Sequence, residues 1–256
     1  MKSLPRLFLV SGWAHGPQAL QVLGGLMADV AQVTLVSTGE LWDGARRPGP
    51  QSPWAAGLAE KAAQIGGEIF VAGWSMGGMV ALEAACLRPG LFKGLMLISA
   101  TPKFCSGPDW KPGVPPAALR AMAARLRGES GPVFTGFFRN VARPAGEAGE
   151  ALRRKTTAAA AMNRLELSAG LHYLSGTDLR DRAGGLDVPA LVIHGRDDAI
   201  VPPEAGMALQ GLLPDARVKI HGGGHGLPWQ APGAVAGDMK EFLQECLSQH
   251  TTRAAP

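Results

Sequence analysis

Cysteine is scarce in this 256-residue sequence: Cys86, Cys105 and Cys246 are odd in number, far apart and not grouped with histidine at metal-ligand spacing. That excludes a disulfide framework and gives no metal site, so buried, reduced thiols are expected. Long apolar runs are also missing. The longest, such as 95–100, fall far short of the roughly 20 residues that a membrane-spanning helix needs. Lys2 and Arg6 flank an apolar run, 7–10, that is too short for the core of a secretory signal, and the chain is expected in the cytoplasm. Charge of one sign is barely in excess, with 25 Lys and Arg against 21 Asp and Glu and a net charge of +4. This is too mild for dedicated nucleic-acid binding, so neither nucleic acid nor a membrane is an expected partner. A monomer is the expected state.

The 35 glycines and 20 prolines follow no Gly-x-y period and separate apolar runs of strand length, which makes them turn and loop residues. Six such runs, at 7–10, 33–36, 69–72, 95–99, 190–194 and 218–221, alternate with stretches of helical spacing at 18–28, 54–65, 76–87, 203–213 and 231–247. Alternation of this kind implies an α/β fold, a mostly parallel sheet flanked by helices on both faces. It fails from about Thr101 to Asp187, where five prolines between Pro102 and Pro116 lead into Ala- and Arg-rich helical segments. The expected organisation is therefore a core of residues 1–100 and 187–256, interrupted by a helical insertion, 101–186. The insertion would stand above the carboxyl ends of the strands, where open α/β sheets bind ligands.

Charge is unevenly placed. Between Thr101 and Gly170, eleven basic residues face five acidic ones, which gives +6 and leaves −2 for the rest of the chain.

Gly73-Trp74-Ser75-Met76-Gly77 fits G-x-S-x-G and lies between a strand run and a helical run. The chemistry needs that context: a tight strand-to-helix turn pushes the Ser75 hydroxyl out of the sheet, and the two glycines allow strand and helix to come close. The helix start also favours developing negative charge. A serine hydroxyl needs a base, and the base needs a carboxylate to fix its tautomer. His225, in Gly222-Gly223-Gly224-His225-Gly226, follows the last strand run; Asp197 and Asp198 follow the fifth. Of these two carboxylates only one can face the base.

In this order, Ser then Asp then His, the residues resemble the α/β-hydrolase superfamily over nearly the whole chain. The superfamily's acid loop, G-x-x-D-x-x-V-P, is met by Gly195, Asp198, Val201 and Pro202, so the resemblance gives the acid role to Asp198. Ser11-Gly12-Trp13-Ala14 resembles the H-G-W-G oxyanion loop with Ser and Ala in place of His and Gly, which implies oxyanion donors in the backbone N–H groups of Trp13 and Met76. Two departures are that the sheet is expected to lack the superfamily's first antiparallel strands, and that 37–44 replaces the usual D-x-P-G-x-G-x-S.

A narrower set resembles the pimeloyl-acyl-carrier-protein methyl ester esterases of biotin synthesis. It comprises Gly73 to Gly78, 98–104 followed by Trp110, 167–171 with Leu174 and 178–180, and His225-Gly226-Leu227-Pro228 with Pro232. The resemblance implies a serine carboxylesterase with catalytic Ser75, Asp198 and His225, an acyl slot lined by Trp13, Met76 and Phe137, and a helical lid over residues 101–186. It further implies an acidic acyl-carrier protein bearing a pimeloyl methyl ester as partner, met by Arg125, Arg139, Arg143, Arg153, Arg154 and Lys155, and no metal or organic cofactor. A polar lid residue of that family is replaced by Val141. The alternatives are a general esterase for small free esters and a non-catalytic ligand-binding protein of the same fold.

Overall fold

The six apolar runs form six strands in a computed structural model, which describes residues 4–42, 51–127, 131–147, 149–150 and 164–253. They are β1 (Arg6–Val10), β2 (Gln32–Val36), β3 (Ile69–Trp74), β4 (Gly94–Ile98), β5 (Ala190–Gly195) and β6 (Ala216–His221). All pair in parallel, in the order β2-β1-β3-β4-β5-β6. No antiparallel strand joins the sheet among the described residues, in line with the expected lack of the superfamily's first strands. The chain winds outward from β1 to β2 and then reverses to build the other side from β3. The strand order therefore switches between β1 and β3, and a crevice opens at their carboxyl ends.

Eight helices matter here: α1 (Gln21–Met27), α2 (Pro53–Ile65), α3 (Met76–Leu87), α4 (Pro116–Leu126), α5 (Gly131–Ala142), α6 (Arg164–Gly176), α7 (Pro203–Leu212) and α8 (Pro232–Arg253). Side chains alternate across the central strands with period two. Phe8, Val10, Val71, Leu95 and Leu97 pack with Leu58 of α2, Val80 of α3 and Leu209 of α7. Leu7, Leu9, Phe70, Met96 and Ile98 pack with Leu23 and Met27 of α1 and with Met239 and Phe242 of α8. Every residue of β3, the strand that leads to Ser75, is buried. The stretch expected as one helix over 18–28 opens instead as a 3-10 turn, Pro17–Leu20, and α1 follows it from Gln21 to Met27.

Between β4 and β5 the chain leaves the sheet and forms α4, α5 and α6. The two ends of this excursion are clasped together: Leu179 N–H donates to Pro102 O (2.9 Å), and Lys103 and Asp178 form an isolated antiparallel bridge. Side chains reinforce the clasp, with Lys103 Nζ 3.0 Å from Asp178 and Arg180 reaching both Asp178 (2.7 Å) and Asp109 (2.5 Å). The Arg180 guanidinium also lies over the Trp110 ring, 5.5 Å from its centre. Deeper in, the buried Glu83 of α3 accepts hydrogen bonds from Ser52 Oγ (2.5 Å) and N–H (3.1 Å) and from Tyr173 OH of α6 (3.0 Å). Ser52 also caps α2 by accepting from Ala55 N–H, so one carboxylate joins α2, α3 and α6.

Cys105 and Cys246 are buried and Cys86 half-buried, all three unbridged; burial pushes the Cys246 thiol up to about 11. Among the described residues no helix is long and apolar enough to cross a membrane.

Candidate active site

β3 ends at Trp74 and α3 begins at Met76, so Ser75 alone makes the turn, with φ 57° and ψ −122°. Such dihedrals are strained for a residue with a side chain and persist only where the surroundings enforce them. Here the enforcement is visible in the two motif glycines. A Cβ at position 73 would lie 2.2 Å from Gly77 O, and one at position 77 would lie 2.3 Å from Val10 O. The turn is further held by Ser75 N–H donating to Ile98 O on the neighbouring strand (2.9 Å).

Three loops at the carboxyl edge meet at this serine. His225, buried after β6, places Nε2 2.9 Å from Ser75 Oγ. Its Nδ1 stands 2.9 Å from Asp198 Oδ2 and 3.1 Å from Oδ1. A proton on Nδ1 satisfies the carboxylate and leaves the Nε2 lone pair to accept from the serine hydroxyl, so the network itself selects the useful tautomer. Asp198 Oδ1 also accepts the N–H groups of Ile200 and Val201, each at 2.8 Å. Burial opposes charge on Asp198, but the facing His225 and the hydrogen bonds from His194 and His225 outweigh it and hold the carboxyl well below the usual carboxylate range. Asp197 is exposed, and its N–H goes to Gly223 O (2.8 Å).

The loop after β1 packs directly against the serine: a Cβ on Gly12 would lie 3.1 Å from Ser75 Cβ. Ser11, where the superfamily has His, donates its hydroxyl to His15 O (2.7 Å) and so closes the loop on itself. Ala14, where the superfamily has Gly, takes φ 58°, a conformation glycine reaches at lower cost. Trp13 is buried, and its indole N–H donates to Leu167 O of α6 (3.0 Å). Met76 is the first residue of α3, so its N–H has no acceptor within the helix.

A cavity of about 360 Å³ adjoins this site, walled by Trp13, Phe137, Leu119 and Met122 of α4, Leu171 of α6, and Ile200 on the acid loop. Its polar side chains are Arg125 and Asn140, both exposed and therefore standing where it opens. Met76 is buried at the elbow and is not on the wall. Val141 is fully buried against the opposite core, so the polar α5 side chain on the cavity wall is Asn140. Arg139 and Arg143 are exposed and line a separate groove that they share with Glu147 and Glu150. Arg153, Arg154 and Lys155 lie outside the described residues. Of the other histidines, His15 is buried between Trp74, Phe138 and Trp229, His172 is exposed, and His221 pairs with Asp238 at 2.6 Å.

Four residues that support the site carry no sequence signal of their own. Trp74, the first variable position of the elbow motif, donates its indole N–H to His225 O (2.8 Å). His194 places Nε2 3.3 Å from Asp198 Oδ2 and 3.0 Å from Val201 O. Gln230 bonds the His225 loop, and Asn140 faces the cavity. Trp74 and Gln230 act through contacts between segments distant in sequence, whereas the partners of His194 follow it closely on the same strand end and loop.

A nucleophile elbow after β3, an acid loop after β5 and a histidine after β6, all at the carboxyl edge of a parallel sheet, define an α/β-hydrolase. The chain belongs to the alpha/beta hydrolase family, whose profile matches residues 7–238. Among its relatives is the pimeloyl-[acyl-carrier protein] methyl ester esterase of Nitrosospira multiformis, 32% identical over 156 residues, a match spanning 60% of this chain and 59% of that protein. The protein of the same name from Aromatoleum aromaticum is 32% identical over 233 residues, 84% of this chain and 88% of the relative. In fold the chain is similar to an esterase from Exiguobacterium antarcticum, with a TM-score of 0.83 at 16% identity, covering 95% of this chain and 93% of that one.

Proposed function

We propose that the protein is a cytoplasmic serine carboxylesterase that hydrolyses the methyl ester of pimeloyl-acyl-carrier protein to methanol and free pimeloyl-acyl-carrier protein in biotin synthesis. The observation that carries the chemistry is the unbroken hydrogen-bonded line from Ser75 through His225 to Asp198. Ser75 Oγ attacks the ester carbonyl while His225 Nε2 takes its proton, and the backbone N–H groups of Trp13 and Met76 receive the oxyanion. His225 returns the proton to the departing methanol, and Asp198 orients the imidazole and stabilises its charged form. Water then repeats the sequence on the acyl-enzyme. None of these steps calls for a metal or an organic cofactor.

Substrate choice rests on the segment 101–186 acting as a lid over the core formed by 1–100 and 187–256. The acyl chain occupies the cavity between Trp13 and Phe137, its ester end at Ser75 and its carrier end leaving past Asn140 and Arg125. Arg125, Arg139 and Arg143, with Arg153, Arg154 and Lys155, supply the positive field that draws and holds an acidic carrier. A second reading, an esterase for small free esters, is favoured by Glu147 and Glu150, which share the groove of Arg139 and Arg143 and dilute its charge.

The two readings separate in one comparison: hydrolysis of the carrier-linked methyl ester beside a free short-chain ester, by wild type and by a variant with Arg139, Arg143, Arg153 and Arg154 changed to Ala. Carrier docking predicts that only the carrier-linked substrate slows, by about tenfold or more, and that the difference shrinks at high salt. Equal effects on both substrates favour the small-ester reading.

A further inference from the structure

The loop that carries His225 is fastened to the far end of α5 by more contacts than chain continuity requires. Gly226 N–H donates to Val141 O (3.1 Å), and Gly224 lies so close to α5 that a Cβ there would stand 2.1 Å from Arg143 O. Between these contacts sits Gln230. Its Oε1 accepts Gly224 N–H (2.6 Å), and its Nε2 donates to Ala142 O (3.1 Å) and Arg143 O (3.0 Å). The amide orientation is dictated by its partners, since an N–H needs the oxygen and two carbonyls need the NH2 group. Ala142 is the last residue of α5; its carbonyl accepts the N–H of Ala145 (2.9 Å) and takes Gln230 as a second donor. One side chain thus ties the end of a helix to the loop of the base.

The same helix carries Phe137 and Asn140 on the cavity wall. We propose that Gln230 is a positioning residue that locks the His225 loop to the end of α5, so that the general base is in register only while the cavity wall carried by α5 is seated. The inference rests on the reading of Ser75, His225 and Asp198 as a triad. It gives hydrolysis a dependence on cavity closure: a lid helix that swings out withdraws its hold on Gly224 and Gly226, and the base loses its alignment with Ser75.

The test uses Gln230→Met, which keeps length and packing and removes all three amide hydrogen bonds. A second variant, Gln230→Glu, keeps an acceptor for Gly224 and turns an oxygen toward the two carbonyls. Both are assayed with p-nitrophenyl butyrate beside wild type and Ser75→Ala, with the rates of wild type and the Gln230 variants normalised to sites titrated by a fluorophosphonate and that of Ser75→Ala to protein concentration. The expected result is a fall in kcat per titrated site on the order of 10- to 100-fold, with KM within about twofold. Hydrogen exchange is expected to rise together in peptides covering 138–145 and 222–231. Unchanged kcat per site in both variants, or exchange that rises in one segment only, overturns the proposal. If wild type is active and Ser75→Ala is not, that failure belongs to Gln230 alone. If Ser75→Ala equals wild type, the triad reading falls and the proposal with it.

Discussion

Asp198 and Asp197 are neighbours with the same chemistry, and the turn decides between them. The N–H groups of Ile200 and Val201 converge on Asp198 Oδ1, His194 stands beside Oδ2, and His225 completes the set, whereas the Asp197 side chain is exposed. Changing Asp198 to Asn leaves the shape but offers an NH2 group where His225 needs an acceptor, which favours the wrong tautomer. Turnover is expected to fall by roughly four orders of magnitude, while Asp197→Asn stays within about twofold, as measured by kcat for a p-nitrophenyl ester. The reverse pattern would move the acid role to Asp197. At this scale the nucleophile was the most legible residue, because a Cβ at Gly73 or Gly77 would stand 2.2 or 2.3 Å from a backbone oxygen, so the two glycines are required and leave a mark in the sequence. Gln230 and Trp74 were not legible, because their partners lie on segments distant in sequence; His194 stands just before the acid loop, but only the folded turn shows that its ring reaches the Asp198 carboxylate.

Among the elements, the strands were easiest to read, since each holds an apolar run bounded by turn residues and the central β3, β4 and β5 are buried on both faces. α5 was harder. Its Phe137 and Phe138 point into different surroundings, one toward the cavity and one into the aromatic cluster around His15, and only tertiary packing assigns them. The clasp at the base of the excursion was equally hidden, because Lys103 and Asp109 come from one end and Asp178 and Arg180 from the other. Its contribution to stability has a definite pH dependence. The hydrogen bonds from Arg180 outweigh burial and, with Lys103, hold the Asp178 carboxyl well below its ordinary value. A carboxylate lowered in this way stabilises the fold above its unfolded value, near 3.9 for Asp, and that stability is lost as pH falls through the native value. Asp178→Asn is therefore expected to lower Tm by a few degrees at pH 7, with the gap to wild type closing below about pH 4 in thermal melts. Parallel acid limbs for the two proteins would show that the clasp carries no such linkage.

Over the whole molecule, the fold class followed from alternation and the site from three loops whose order along the chain matches their meeting point in space. Sequence charge located the basic excess between 101 and 170, but could not reveal that Arg139 and Arg143 share their groove with two glutamates. The combination of a strained elbow, a complete proton relay and a largely apolar cavity beside it is what an esterase of acyl chains requires. The most direct measurement is the mass of methyl-pimeloyl-acyl-carrier protein after incubation with wild type and with Ser75→Ala. Loss of the methyl group with wild type, and an unchanged substrate with Ser75→Ala, is the predicted result. An untouched carrier with wild type, under conditions where a free short-chain ester is cleaved, would contradict it.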